Sequence, residues 1–247
     1  MTANGQFSVA WYVPLAGLTA EMEAIDEFGN RSLRTIQVAR ILEAAEVAFK
    51  FDALDPTARS VKENPNAVAI IIGVEGYQSL PDATYAARDA QLFYDFARRA
   101  LGVPAPNIRM MINEQATGLE LVRVFQQWLP AIVRAGESDV FVFFAGHGLA
   151  GSDGNSMFLI PTDGAADLLE RSALRRQEVF DWLQDSGARS VTVFLDTCFS
   201  GGTRGEEMLV ADRRGFALSA QEDKVPTTFT LITAASGDQT STSLPEV

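Results

Sequence analysis

A chain of 247 residues has room for one large α/β domain, or for one domain with a smaller appendage. Hydrophobic residues at 47% supply a real core, and a net charge of −12 with a pI near 4.5 argues against binding nucleic-acid phosphates or anionic membrane surfaces. One cysteine and one histidine exclude an internal disulfide and a zinc cluster alike.

No apolar stretch approaches the roughly 20 residues that span a bilayer. The opening "MTANGQFSVAWYVPLAGLTAEME" lacks a basic n-region and does not read as a signal peptide. The expected location is cytoplasmic, or outside the cell if the sequence is a piece of a longer exported protein. No pattern sets an oligomeric state.

Residues 1–49 are β-prone: "FSVAWYVPL", "TAEMEAID" and "RSLRTIQVAR" are short runs separated by turn signals such as "DEFGNRS". Three strands are too few for an independent sandwich. The segment resembles the closing strands of a bacterial immunoglobulin-like module, in which a D-x-x-G-N turn is common. Residues 50–66, polar with two prolines, read as a linker before a domain at 67–247.

From Ala67 the pattern becomes regular. "AVAIIIG" (67–73) is a continuous apolar run, as expected for a strand buried on both faces of a parallel sheet. Residues 82–101 have apolar positions at helical spacing, with Asp82 as N-cap. A strand at 107–113, a helix at 118–133 and a fully apolar strand at 139–146 follow. "MFLIP" (157–161) reads as a short extra strand, 174–184 as a helix, 190–196 as another buried strand and 228–235 as the last strand. This alternation predicts a mainly parallel sheet flanked by helices, preceded by the small β segment.

The only imidazole, His147, stands just past one central strand in "VFFAGHGLAGSDG", and the only thiol, Cys198, just past the next in "VFLDTCFSGG". In open α/β sheets the carboxyl edge is where ligands and chemistry gather. Should the two strands be neighbours, imidazole and thiol face each other as base and nucleophile. The amides of Gly148 and Cys198 are then placed to stabilise an oxyanion, worth roughly 3 kcal/mol per donor. Ser200, Gly201 and Gly202 keep the following turn open. With strand period two, Asp196 points to the same side as Cys198.

Each residue also has an ordinary reading. A lone cysteine at a strand end is most often a small buried hydrophobe, and a lone histidine a satisfied polar group. Asp196 can cap turn amides, Asp89 can be a helix carboxylate in an early turn, and Asp153 in "GSDGN" reads as a turn former. The ordinary readings weaken together, because both unique residues occupy equivalent topological positions.

The stretches "AVAIIIGVEGYQSLPDATYAARDAQLF", "SDVFVFFAGHG" and "VTVFLDTCFSGG" resemble the caspase-like peptidases of clan CD, family C14, and within them the prokaryotic, metacaspase-related branch. The resemblance covers about residues 66–236. It implies a caspase–haemoglobinase fold and a cysteine endopeptidase with a His147–Cys198 dyad. It also implies an S1 pocket lined by Asp89 from "AARDA" and Asp196 from "LDTC", which suits a substrate protein or peptide with Arg or Lys at P1. Arg88 is expected to point elsewhere on its helix.

Many metacaspases carry "SGHG", where this chain has Ala145. The paired aspartates of calcium-dependent relatives correspond roughly to Arg175 and Arg176, so no cofactor and no calcium dependence are expected. No Gly-rich phosphate loop follows the first buried strand, which counts against nucleotide binding. The 28 residues from Gly201 to Thr228 hold Arg204, Arg213, Arg214 and Lys224 as candidate self-cleavage positions, above all in "DRRG". The competing reading is a catalytically silent caspase-like interaction module.

Overall fold

The computed structural model describes residues 18–25, 28–38, 55–56, 59–151, 156–197 and 225–234. These fall into two compact units, each taken here by itself. The smaller holds an antiparallel hairpin of β1 (Leu18–Ile25) and β2 (Arg31–Val38), in register from Leu18 opposite Val38 to Ile25 opposite Arg31. Period-two alternation puts Ala20 opposite Ile36 on one face, with Glu21 opposite Thr35 on the other. Gly29, with φ of +83°, makes the turn that the D-x-x-G-N pattern predicts. The first β-prone run, 7–15, lies outside the described residues.

In the larger unit, β3 (Ala67–Gly73), β4 (Ile108–Ile112) and β5 (Asp139–Ala145) precede three short strands, β6 (Gly148–Ala150), β7 (Met157–Leu159) and β8 (Leu174–Arg175). Then come β9 (Ser190–Asp196) and β10 (Phe229–Thr233). The main sheet runs β10-β9-β5-β3-β4 with every neighbouring pair parallel, and β6-β7-β8 form a small antiparallel sheet. Every residue of central β3 is buried. Its side chains alternate between two layers.

Val68, Ile70 and Ile72 pack with Leu121, Phe125, Phe180 and Leu183 on one face. Those residues come from α2 (Gly118–Arg123), a π-helical turn (Val124–Trp128) and α5 (Arg176–Asp185); α3 (Leu129–Ile132) and α4 (Leu169–Ser172) lie between the last two in sequence. On the other face, α1 (Ala86–Arg99) lays Ala90 and Ala97 against Ala67, Ala69 and Ile71. Only small residues permit so close an approach. A Cβ on Gly73 would lie 2.6 Å from Ala90 Cβ and 2.7 Å from the Ala86 carbonyl oxygen.

Three expectations need correction. The helix predicted from Asp82 begins at Ala86, because Ala83 N–H donates to the Glu75 carbonyl (2.8 Å) and holds the preceding residues as a loop. Asp82 is exposed and caps nothing; Glu75 Oε2 accepts from the first-turn amide of Ala87 instead (3.3 Å). The helix predicted over 118–133 contains the π-helical turn, in which Leu129 N–H bonds Val124 O just before Pro130, whose missing N–H interrupts the regular ladder. Finally, β5 and β9 are not buried throughout. Val142, Phe144, Val193 and Leu195 are, but Phe143 and Phe194 are only half-buried, since α1 alone covers their face among the described residues.

At the amino ends of the strands, Asp139 accepts hydrogen bonds from Arg189 Nε (3.1 Å), Ser190 Oγ (2.6 Å) and Asn64 Nδ2 (3.3 Å). The Arg189 hydrogen bond is the main cause holding its carboxyl below the usual carboxylate value, against a smaller opposing effect of burial. A carboxyl depressed on folding adds stability above its unfolded value and loses it as pH falls through the folded one. Arg189→Ala is therefore expected to melt below wild type at neutral pH, with the gap closing in acid; scanning calorimetry across pH 2 to 7 checks this. A gap that widened in acid would contradict the assignment.

Candidate active site

The two loops singled out by sequence emerge side by side. β5 and β9 are adjacent and in register from Asp139 opposite Ser190 to Ala145 opposite Asp196, and Gly146 N–H donates to the Asp196 carbonyl (3.3 Å). His147 follows directly. Strand pairing ends at Asp196, and Cys198 lies outside the described residues with Ser200, Gly201 and Gly202. Asp153, Arg204, Arg213, Arg214 and Lys224 lie outside them too.

His147 is 4% exposed and held on several sides. Its backbone N–H donates to the Tyr77 hydroxyl (2.7 Å), and its ring lies 4.7 Å from the Tyr77 ring at an interplanar angle of 33°. Nε2 is 2.8 Å from the Pro81 carbonyl oxygen. A carbonyl oxygen only accepts, so Nε2 carries a proton, and Nδ1 is the ring nitrogen that can serve as a base. Gly146, at φ +153°, is what lets Tyr77 approach: a Cβ there would meet the Tyr77 hydroxyl at 2.6 Å and Val74 O at 3.2 Å.

The loop carrying Tyr77 and Pro81 is itself tied down. Val74 N–H donates to Ala145 O (2.9 Å), and the amides of Glu75 and Gly76 donate to Asn113 Oδ1 (2.8 and 3.2 Å). Buried Thr162 donates its hydroxyl to Gly76 O (2.9 Å), while its carbonyl accepts from Gln78 N–H (3.0 Å). Sequence reasoning missed Tyr77, Pro81, Asn113 and Thr162 as parts of this framework. Each acts on a partner far along the chain, and no local pattern signals that.

Gly148 opens edge strand β6 opposite Leu159, and Ile160 N–H donates to His147 O (3.1 Å). Bonded and non-bonded pairs alternate in an antiparallel ladder, so the Gly148 amide points away from β7. Asp89 sits in the first turn of α1, half-buried, while neighbouring Arg88 is exposed as expected. One turn later, Phe93 stacks on Phe143 (4.5 Å) and meets Phe194 (5.0 Å). Asp89 stands four residues before Phe93, and Asp196 two after Phe194. Both carboxylates therefore extend the same helix–sheet contact toward the strand carboxyl ends. Ala145, opposite Asp196 in the ladder, is fully buried and packs with Ala83 and Ala86.

Arg175 pairs with Glu170 (2.7 Å) and lies over the Phe158 ring, and buried Arg176 lies over the Phe180 ring. Among the described residues no group of three or more His, Cys, Asp or Glu is arranged to hold a metal ion, and no helix is long and apolar enough to cross a membrane.

The caspase domain of peptidase family C14 matches residues 66–246. No curated protein matches the chain. Among solved structures, a structural-genomics protein of Geobacter sulfurreducens is similar at 16% identity and a TM-score of 0.41. That match covers 54% of this chain and 51% of the other, so the chain spans about half the length of that protein. With a family match over most of its length and a parallel five-stranded sheet between helices, the chain belongs to the caspase-domain family of cysteine peptidases.

Proposed function

We propose that this protein is a cysteine endopeptidase of the metacaspase-related branch that cuts after Arg or Lys, with His147 as base and Cys198 as nucleophile. The observation that carries the reading is the pairing of Gly146 with Asp196, which sets the histidine beside the strand end from which Cys198 is two residues away. Nδ1 of His147 takes the Cys198 proton, and the thiolate adds to the scissile carbonyl carbon. The oxyanion is held by the amides of Gly148 and Cys198. Collapse of the adduct breaks the C–N bond, the imidazolium returns the proton to the leaving amine, and a thioester remains. Water, deprotonated by the same Nδ1, hydrolyses it and frees the thiol.

Asp89 and Asp196 are proposed as the walls of S1. A P1 guanidinium or ammonium pairs with them, whereas a P1 aspartate meets like charge in a partly desolvated pocket, a penalty of several kcal/mol. Fluorogenic peptides with Arg, Lys and Asp at P1 are expected to separate by about 10²-fold or more in kcat/KM, basic residues leading. A preference for Asp would overturn the pocket; no hydrolysis of any peptide would favour the silent interaction module.

The same pocket is proposed to accept this chain's own Arg204, Arg213, Arg214 or Lys224, which follow the nucleophile in sequence and so have a high local concentration. Incubated wild type is expected to yield two fragments by intact mass, cut most readily in "DRRG", while Cys198→Ala stays whole. An active enzyme that remained uncut would remove self-processing from the reading.

A further inference from the structure

Among the described residues, the buried polar side chains of the larger unit are nearly all accounted for. Ser138 accepts from Arg134 N–H (3.0 Å), and Thr162 and His147 are bonded as described above. Thr197 is the exception: it is 1% exposed, and its Oγ1 is buried with no hydrogen-bond partner. Among the described residues the one other orphaned side-chain atom, Arg98 Nε, belongs to a side chain 39% exposed near the far end of α1. Burying a hydroxyl unpaired destabilises a fold, and valine has the same shape without that penalty. Packing alone therefore favours valine here.

The place of the orphan is informative. Thr197 sits between Asp196, whose carbonyl accepts from Gly146 N–H, and Cys198. From this we infer that Thr197 is a positioning residue: its hydroxyl takes a partner when the nucleophile is seated for reaction, and so fixes the thiol relative to His147. The inference rests on Cys198 being the nucleophile, but its test needs no peptide substrate. Stability is given up at this position for alignment, and the two effects of one substitution have opposite signs.

Because Cys198 is the only cysteine, its alkylation by iodoacetamide can be followed by intact mass without ambiguity. The thiolate displaces iodide and forms a thioether, at a rate that reports its ionisation and placement. Thr197→Val is expected to melt about 3–6 °C above wild type and to alkylate about tenfold more slowly, with Thr197→Ser restoring the wild-type rate. Alkylation of Thr197→Val at the wild-type rate overturns the proposal. So does a lowered melting point, which would mean that the hydroxyl holds the resting fold, or a serine variant as slow as valine. A wild-type rate no faster than that of His147→Ala would instead sink the dyad itself, and this proposal with it.

Discussion

Replacing His147 with alanine is expected to lower turnover by about 10³-fold or more while leaving the fold in place. No second imidazole exists in the chain to take over the proton. The ring is nearly buried, so its loss opens a small cavity and leaves the Pro81 carbonyl without its donor, a modest stability penalty of roughly 1–2 kcal/mol. Circular dichroism and the melting curve separate that penalty from the chemistry. His147→Asn is the more searching variant, since a side-chain amide can still donate to Pro81 O yet cannot act as a base. Turnover near wild type in either correctly folded variant would end the assignment of His147 as the base.

Gly73→Ala should be the most damaging small substitution in the core. The added Cβ meets Ala90 Cβ at 2.6 Å and the Ala86 backbone oxygen at 2.7 Å, and neither belongs to a flexible side chain that can swing aside. Helix α1 has to retreat as a body, loosening the alanine face that packs on Ala67, Ala69 and Ile71. Overpacking of this kind amounts to about 3 kcal/mol, or a fall of roughly 6–12 °C in melting temperature for a unit of this size. Because α1 carries Asp89 in its first turn, the P1 preference should weaken as well. A melting point within a degree or two of wild type would show that α1 can shift freely on the sheet.

The strands were legible because a parallel sheet covered on both sides writes itself as uninterrupted apolar runs, of which "AVAIIIG" is the clearest. The adjacency of the His147 and Cys198 loops could be posed from the same runs, but strand order is a tertiary fact and waited on the register of β5 with β9. Asp82 misled because it has the chemistry of a cap; the Ala83–Glu75 bond decides where the helix starts, and it joins residues whose pairing no local rule specifies. Tyr77 was hidden for a related reason. Its hydroxyl and ring act on a residue 70 positions later, and in sequence it is one aromatic in a polar loop. The uneven burial of β5 and β9 escaped notice because phenylalanine occupies both the covered and the half-covered face.

The order of strands in the main sheet also sets how the chain must fold. Ala67 pairs with Asp139, and Asp139 with Ser190, so the two central pairings close loops of roughly 70 and 50 residues. Neither can be rewarded until that entropy has been met, which places this topology among the slow folders, on a millisecond-to-second scale. During that interval Val140–Phe144 and Val191–Leu195 are apolar strands without neighbours. Refolding by dilution from denaturant is therefore a race between intramolecular pairing and association. Recovery of soluble protein should fall steeply as chain concentration rises.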